Sequence, residues 1–426
     1  MLRSLFIFIV LTSVMASCQR DDLPEPSTPT SSPPDTTTVE PPPPPIHPFA
    51  DFLVWQKPIS LIEDTTHVST SARSVVVGDN YLEITQFDGP ENALRLRNGQ
   101  TGEVIWTWTR PNVSGGEAIA RCHVSGKYIA LGQSYDTYIV NARTGQSVWE
   151  DNWYSSGETG SFVRVDGERV YKTRSKEGLY DEHNYLLSSP FHSLAWDTLL
   201  HLKISDTYVS NGYPGIGAPT INEDIIYVPI VYYNEESYHA IWAINKRTQE
   251  ILWRSQVRAE KAFYYSNKIY GYYGYDDGKL KCLDAETGEL LWQRQLVQDP
   301  GELILSHESI LLYENTVFVK TFGKKMYALD AETGVIKWEK EFNSHGPDGG
   351  LHPYKDGIYF MGTGYGKIQG VNIHTGNLIM NLESPHKDIY PGAQFSWSGV
   401  DVDPETGYLY VSDRYFTMCL DLNKIN

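Results

Sequence analysis

Cysteine is scarce in this chain, with four residues in 426. That excludes a fold stapled by disulfides, which needs many more per residue. Positive charge is also short: 35 Lys and Arg face 53 Asp and Glu, for a net charge of −18. A phosphate-backbone partner needs clustered cations, so no nucleic-acid partner is expected. No apolar run reaches the ~20 residues of a membrane-crossing helix. Recognisable catalytic motifs are missing too. There is no Gly-x-Ser-x-Gly elbow, no phosphate-binding Walker loop and no His-Glu-x-x-His. What is abundant is aromatic: 29 Tyr and 11 Trp, with 35 Gly. Apolar residues at 41% and charged residues at 21% suit a packed, strand-rich chain rather than a disordered polyelectrolyte.

The amino terminus reads as an address. Arg3 precedes an apolar run from Leu5 to Val14, then small residues lead to Cys18. This pattern predicts a signal peptide over residues 1–17. Val14-Met15-Ala16-Ser17-Cys18 resembles a bacterial lipobox, which implies cleavage before Cys18 and lipidation of that residue. Acyl chains would then hold the protein to a membrane, each buried CH₂ contributing about 0.8 kcal/mol. Gln19-Arg20-Asp21-Asp22 is similar to an acidic surface-export signal. Residues 18–50 carry Pro24, Pro26, Pro29, Pro33, Pro34 and the run Pro41 to Pro45. Such a segment forms an extended spacer of about 3.1 Å per residue.

From residue 51 to 426 one repeat dominates. Leu283-Asp284-Ala285-Glu286-Thr287-Gly288 with Trp292 matches Leu329-Asp330-Ala331-Glu332-Thr333-Gly334 with Trp338. The frame recurs at Asn98 to Gly102 with Trp106, and at Asn141 to Gly145 with Trp149. It recurs again at Asn245 to Gln249 with Trp253, and at Asn372 to Gly376 with Met380 in the Trp position. An Asx side chain starts a turn by accepting from backbone two residues on. Gly completes it, since positive φ costs Gly nothing. Gln249 in a Gly position predicts a strained or altered turn. The Trp follows on the next strand, in phase to pack against one sheet face.

The period is near 40–45 residues with several strands each, which predicts a β-propeller. The double-length gap from Gly145 to Gln249 predicts a degenerate copy at 160–204, with Trp196 in the Trp position. Trp55 has no preceding turn, and the chain stops just after Cys419-Leu420-Asp421. The fold class expected is therefore all-β: an eight-bladed propeller of four-stranded blades, the last closed by the N-terminal strand.

These repeats resemble those of the PQQ-like (quinoprotein-type) β-propeller family. That family holds PQQ-dependent dehydrogenases and also non-catalytic lipoproteins of the BamB type, which act in outer-membrane assembly. The dehydrogenases carry a vicinal cysteine pair and a Ca²⁺ cage; here Cys122, Cys282 and Cys419 stand apart. The reading is thus no enzyme, no cofactor and no bound metal. The protein is expected to be a lipid-anchored outer-membrane scaffold, facing the periplasm or the cell surface, for envelope proteins. A surface glycan- or ligand-binding propeller is the alternative, and a quinoprotein enzyme the third reading. Candidate partner-binding residues are His345, Asp348 and His352 in a Gly-rich segment, and Tyr390 and Trp397 as an aromatic platform.

Overall fold

A computed structural model describes residues 49–59, 73–85, 93–109, 121–132, 136–152, 158–177, 181–191, 193, 195–205, 215–230, 240–257, 259, 261–272, 278–298, 309–343, 345–363, 366–390, 394–395, 399–413 and 415–425. Cys18, the spacer up to residue 48, and Trp397 lie outside them. Strands dominate. Among the described residues, helix is confined to one turn at Phe49–Phe52 and a 3-10 turn at Leu422–Lys424.

Eight antiparallel sheets of four strands each make the eight blades of a β-propeller. In chain order they span 73–109, 121–152, 158–205, 220–254, 261–295, 310–341 and 345–383, as blades 1 to 7. Blade 8 takes three strands from 400–421 and its outermost strand from Leu53–Pro58. That N-terminal strand pairs antiparallel with Phe416–Asp421, Trp55 opposite Cys419. The first and last described strands thus meet in one sheet and close the ring, as expected from the lone Trp55.

Alternation builds the core. Second and third strands are buried on both faces, as at Tyr128–Gly132 and Thr316–Lys320. Fourth strands alternate, as at Leu290–Gln295, because only one face meets a neighbouring blade. Hydrophobic clusters accordingly sit between blades. One joins Tyr270, Tyr272 and Cys282 of blade 5 to Val317, Val319 and Tyr327 of blade 6.

The repeated turn has the expected form. In Asp284 to Gly288, Asp284 Oδ1 accepts from Glu286 N at 2.9 Å and Thr287 N at 2.8 Å. Gly288 N donates to Asp284 O, and its φ is 75°. These bonds hold the Asp284 carboxyl below the usual range, the Thr287 amide contributing most. Gln249 keeps the same turn, with φ at 62° and its N–H on Asn245 O. It is strained in backbone rather than altered in shape.

Two features differ from the sequence reading. Trp196 is not the slot residue of blade 3. It precedes the outer strand Asp197–Ser205, which has no Trp, and packs edge-on against Trp149 at 5.5 Å. The degenerate blade kept its strands but lost the slot. A further Asx turn, Asp403 to Gly407, lies between the first and second strands of blade 8 rather than the third and fourth.

Candidate functional site at the loop-bearing rim

Antiparallel blades give the disc two rims. On one, every connection is two to six residues long, including all the Asx turns. The other takes the second-to-third connections and the crossings between blades, the longest being 384–399. Diversity in length is confined to this second rim, where a rigid scaffold can present recognition residues.

On that rim, blades 7 and 8 share a polar pin. Asp413 is buried at 1% exposure. Its Oδ1 accepts from Tyr415 N at 2.8 Å and Phe416 N at 2.7 Å. Its Oδ2 accepts from Ser384 Oγ at 2.8 Å and meets His386 Nδ1 at 2.7 Å. Ser384 Oγ in turn accepts from His386 N at 3.1 Å. Serine and histidine therefore both bind the carboxylate. The hydroxyl is not aligned as a nucleophile on the imidazole, so this trio is a clamp and not a hydrolytic triad. The carbonyl of His386 takes both Ile389 N and Tyr390 N at 2.9 Å, which winds the segment into a tight loop.

The clamp carries an aromatic surface. The His386 ring lies 4.2 Å from that of Phe416, and Tyr390 stacks on Tyr415 at 4.9 Å. Ile389, beside Tyr390, is 67% exposed. Among the exposed large hydrophobics it stands out, because Val104, Ile105, Leu290 and Leu291 belong to outer strands at lower exposure. The cluster is also fixed to the ring closure, since Ile59 N donates to Tyr415 O at 2.9 Å.

Behind Ile59 sits a buried ion group of blade 1. Glu83 binds Arg95 at 3.1 Å and Arg97 at 3.1 Å. Arg95 donates to Ile59 O at 2.6 Å, and Arg97 Nη2 reaches Pro58 O at 3.4 Å. Two guanidinium groups thus hold the end of the closing strand, against a carboxylate with no exposure. Nothing in the sequence marked these residues, because charges on an alternating strand read as a solvated face.

The other sequence candidates separate. His352 Nδ1 is 2.7 Å from Asp401 Oδ1. Asp401 Oδ2 accepts from Val76 N at 2.7 Å, so this aspartate links the first strands of blades 7, 8 and 1. His345 and Asp348 lie on the strand His345–Tyr354, and their side chains are outside the described set. Tyr390 belongs to the cluster above. His123 was missed by sequence. It accepts from Val165 N at 3.3 Å, and burial with nearby Arg164 pushes its pKa down to about 4. At neutral pH it is an uncharged link between blades 2 and 3.

Cys122, Cys282 and Cys419 fall in blades 2, 5 and 8. Burial pushes the Cys282 thiol up to about 12, and Cys419 upward as well, so neither forms a thiolate at neutral pH. Among the described residues, no group of three or more His, Cys, Asp or Glu gathers to hold a metal ion.

Fold and repeat together define an eight-bladed propeller built on a PQQ-like repeat. Residues 239–389 match the family model described as outer membrane protein assembly factor BamB. The search of curated proteins returned no significant match. Among solved structures, BamB from Moraxella catarrhalis is similar with a TM-score of 0.58 at 13% identity, over 87% of this chain and 99% of that one. Quinohemoprotein alcohol dehydrogenase from Comamonas testosteroni reaches 0.58 at 12% identity, over 86% and 76%. The computationally designed Ika8 protein reaches 0.60 at 12%, over 83% and 96%. At these identities the likeness is one of fold.

Proposed function

We propose that the protein is a non-catalytic scaffold of the cell envelope, held to the outer membrane through Cys18, that docks a protein partner on the loop-bearing rim of blades 7 and 8. The observation that carries this reading is the Tyr390–Tyr415 stack beside exposed Ile389, seated on the Asp413 clamp. Rigid aromatic groups on a fixed base give large contact area at low entropic cost, which is how interface anchors work. The similarity to BamB supports an envelope partner, because that protein is described as an assembly factor of the outer membrane. Cysteines on separate blades and a serine turned away from its histidine support a non-catalytic role. His345, Asp348 and Trp397 stay in the proposed contact region by sequence position.

The stacked tyrosines also suit a sugar ring, so glycan binding is the second reading. Purified protein and an Ile389→Asp/Tyr390→Ala variant separate the two, tested against envelope extracts and against a glycan array. A protein captured by the parent and lost by the variant supports the scaffold. Array binding lost in the same variant supports the glycan reading. Spectral change and dye-linked oxidation after addition of PQQ and Ca²⁺ would reject both in favour of an enzyme.

A further inference from the structure

Blade 3 departs from the repeat in the length of its strands. Glu158–Asp166, Arg169–Glu177, Asp181–Pro190 and Asp197–Ser205 hold 9, 9, 10 and 9 residues. Those of blade 1 hold 5, 6, 6 and 6. Both blades start from tight hairpins on the turn rim, so the added residues extend blade 3 past the loop-bearing rim. About three residues at 3.3 Å each add roughly 10 Å.

Two imidazoles meet on this extension. His183 Nδ1 and His201 Nε2 are 2.8 Å apart. Their rings lie within 16° of one plane, with centroids 5.1 Å apart. Tyr185 is opposite His201 in the register and stacks on it at 4.6 Å and 5°. His201 is exposed and His183 half-buried.

We propose that His183 and His201 form a two-imidazole site for a divalent transition ion of the Cu(II) or Ni(II) class. Neutral imidazole offers one lone pair and suits these ions. Metal–imidazole bonds are about 2.0–2.1 Å, so two at a right angle hold their nitrogens about 2.9 Å apart. A tetrahedral angle would need about 3.3 Å. The observed 2.8 Å is the length of the hydrogen bond between the two rings, and it leaves the facing nitrogens near the spacing of a right-angled pair. To bind, each ring pivots until its facing lone pair meets the ion. The proton between the rings moves to the far nitrogen of its own ring, so a neutral pair releases none. Tyr185 backs the His201 ring and limits its freedom. Arg174 and Lys176, opposite Tyr185 and His183 in the register, oppose a cation and keep the affinity modest. Two protein ligands leave the remaining positions to water or to a donor from a partner.

The test is calorimetric titration of NiCl₂ and CuSO₄ into the full chain, free of any affinity tag. The variants are His183→Ala, His201→Gln and the double variant, with His374→Ala on the turn rim as a control. Circular dichroism confirms that each is folded. The expected result is saturable one-site binding to the parent and to H374A. Binding weakens at least tenfold in either single variant and is lost in the double. Equal binding by the double variant, or no saturable binding by the parent, overturns the proposal. Neither outcome depends on the rim of blades 7 and 8.

Discussion

The indole of Trp292 lies on Gly334 of the next blade. Its Nε1 donates to Ala331 O at 3.1 Å, and a Cβ added at Gly334 would sit 2.5 Å from its ring. The relationship repeats around the ring. Trp55 covers Gly102 and donates to Gly99 O, Trp106 covers Gly145, Trp253 covers Gly288, and Trp338 covers Gly376. Each turn glycine therefore answers two demands, a left-handed backbone and an indole from the preceding blade. Blade 3 has no slot Trp, and the turn that follows it carries Gln249 in place of glycine. At this junction tryptophan and glycine are both missing, whereas Trp149 of blade 2 is kept and donates to Ser193 O at 3.1 Å in a connection that has no glycine.

Gly334→Ala is predicted to destabilise the protein by roughly 2–4 kcal/mol, combining positive φ with a clash against Trp292. Gln249→Gly should change stability by less than about 1 kcal/mol, because relief of strain offsets the added chain entropy. Denaturant midpoints check the pair. Equal losses at both sites would contradict the interlock.

Glu83→Gln removes the counter-charge of Arg95 and Arg97 while keeping the side-chain shape. Two cations are then buried without compensation, and the expected cost is about 3–5 kcal/mol. The closing strand should release first. Limited proteolysis followed by N-terminal sequencing checks this, with early cleavage near Pro58 as the expected sign.

Lys320 is fully buried, its amine donating to Thr321 O at 3.1 Å, and burial pushes its pKa down to about 7. The unfolded chain binds this proton more tightly, so stability should rise with pH from about 7 toward the ordinary lysine range of ~10.4. Lys320→Met removes the dependence. It should stabilise by about 1–3 kcal/mol at pH 6, with the gain shrinking as pH rises through that window. Melting curves from pH 6 to 10 check the sign; a gain that grows with pH would contradict it.

Asp413→Asn weakens the charged acceptor shared by Ser384, His386 and two amides. Loss of about 2–3 kcal/mol is expected, together with faster amide exchange across 384–390. Exchange mass spectrometry reads that segment directly.

Much of the architecture was legible in advance because it is periodic. Asx, Gly and Trp at fixed spacing encode turn, strand and blade, and the unmatched Trp55 encoded the closure. The interlock itself was not legible, because spacing within one blade says nothing of what the indole meets in the next. The site was harder still. Tyr390 could be singled out as an aromatic in a long connection, yet its base could not. Asp413, Ser384 and Tyr415 belong to no motif, and the fold alone brings them together. The pair His183 and His201 was equally silent, since cross-strand register depends on the irregular length of blade 3.

The central claim is that the loop-bearing rim of blades 7 and 8 contacts a partner. Site-specific photo-cross-linking in intact cells tests it most directly, with the photoreactive residue at Ile389, at Phe322 on the same rim, and at Arg143 on the turn rim. The account predicts one discrete protein adduct from position 389, none from 143, and loss of the adduct in an Asp413→Asn background. A discrete adduct from 143 with none from 389 would contradict it.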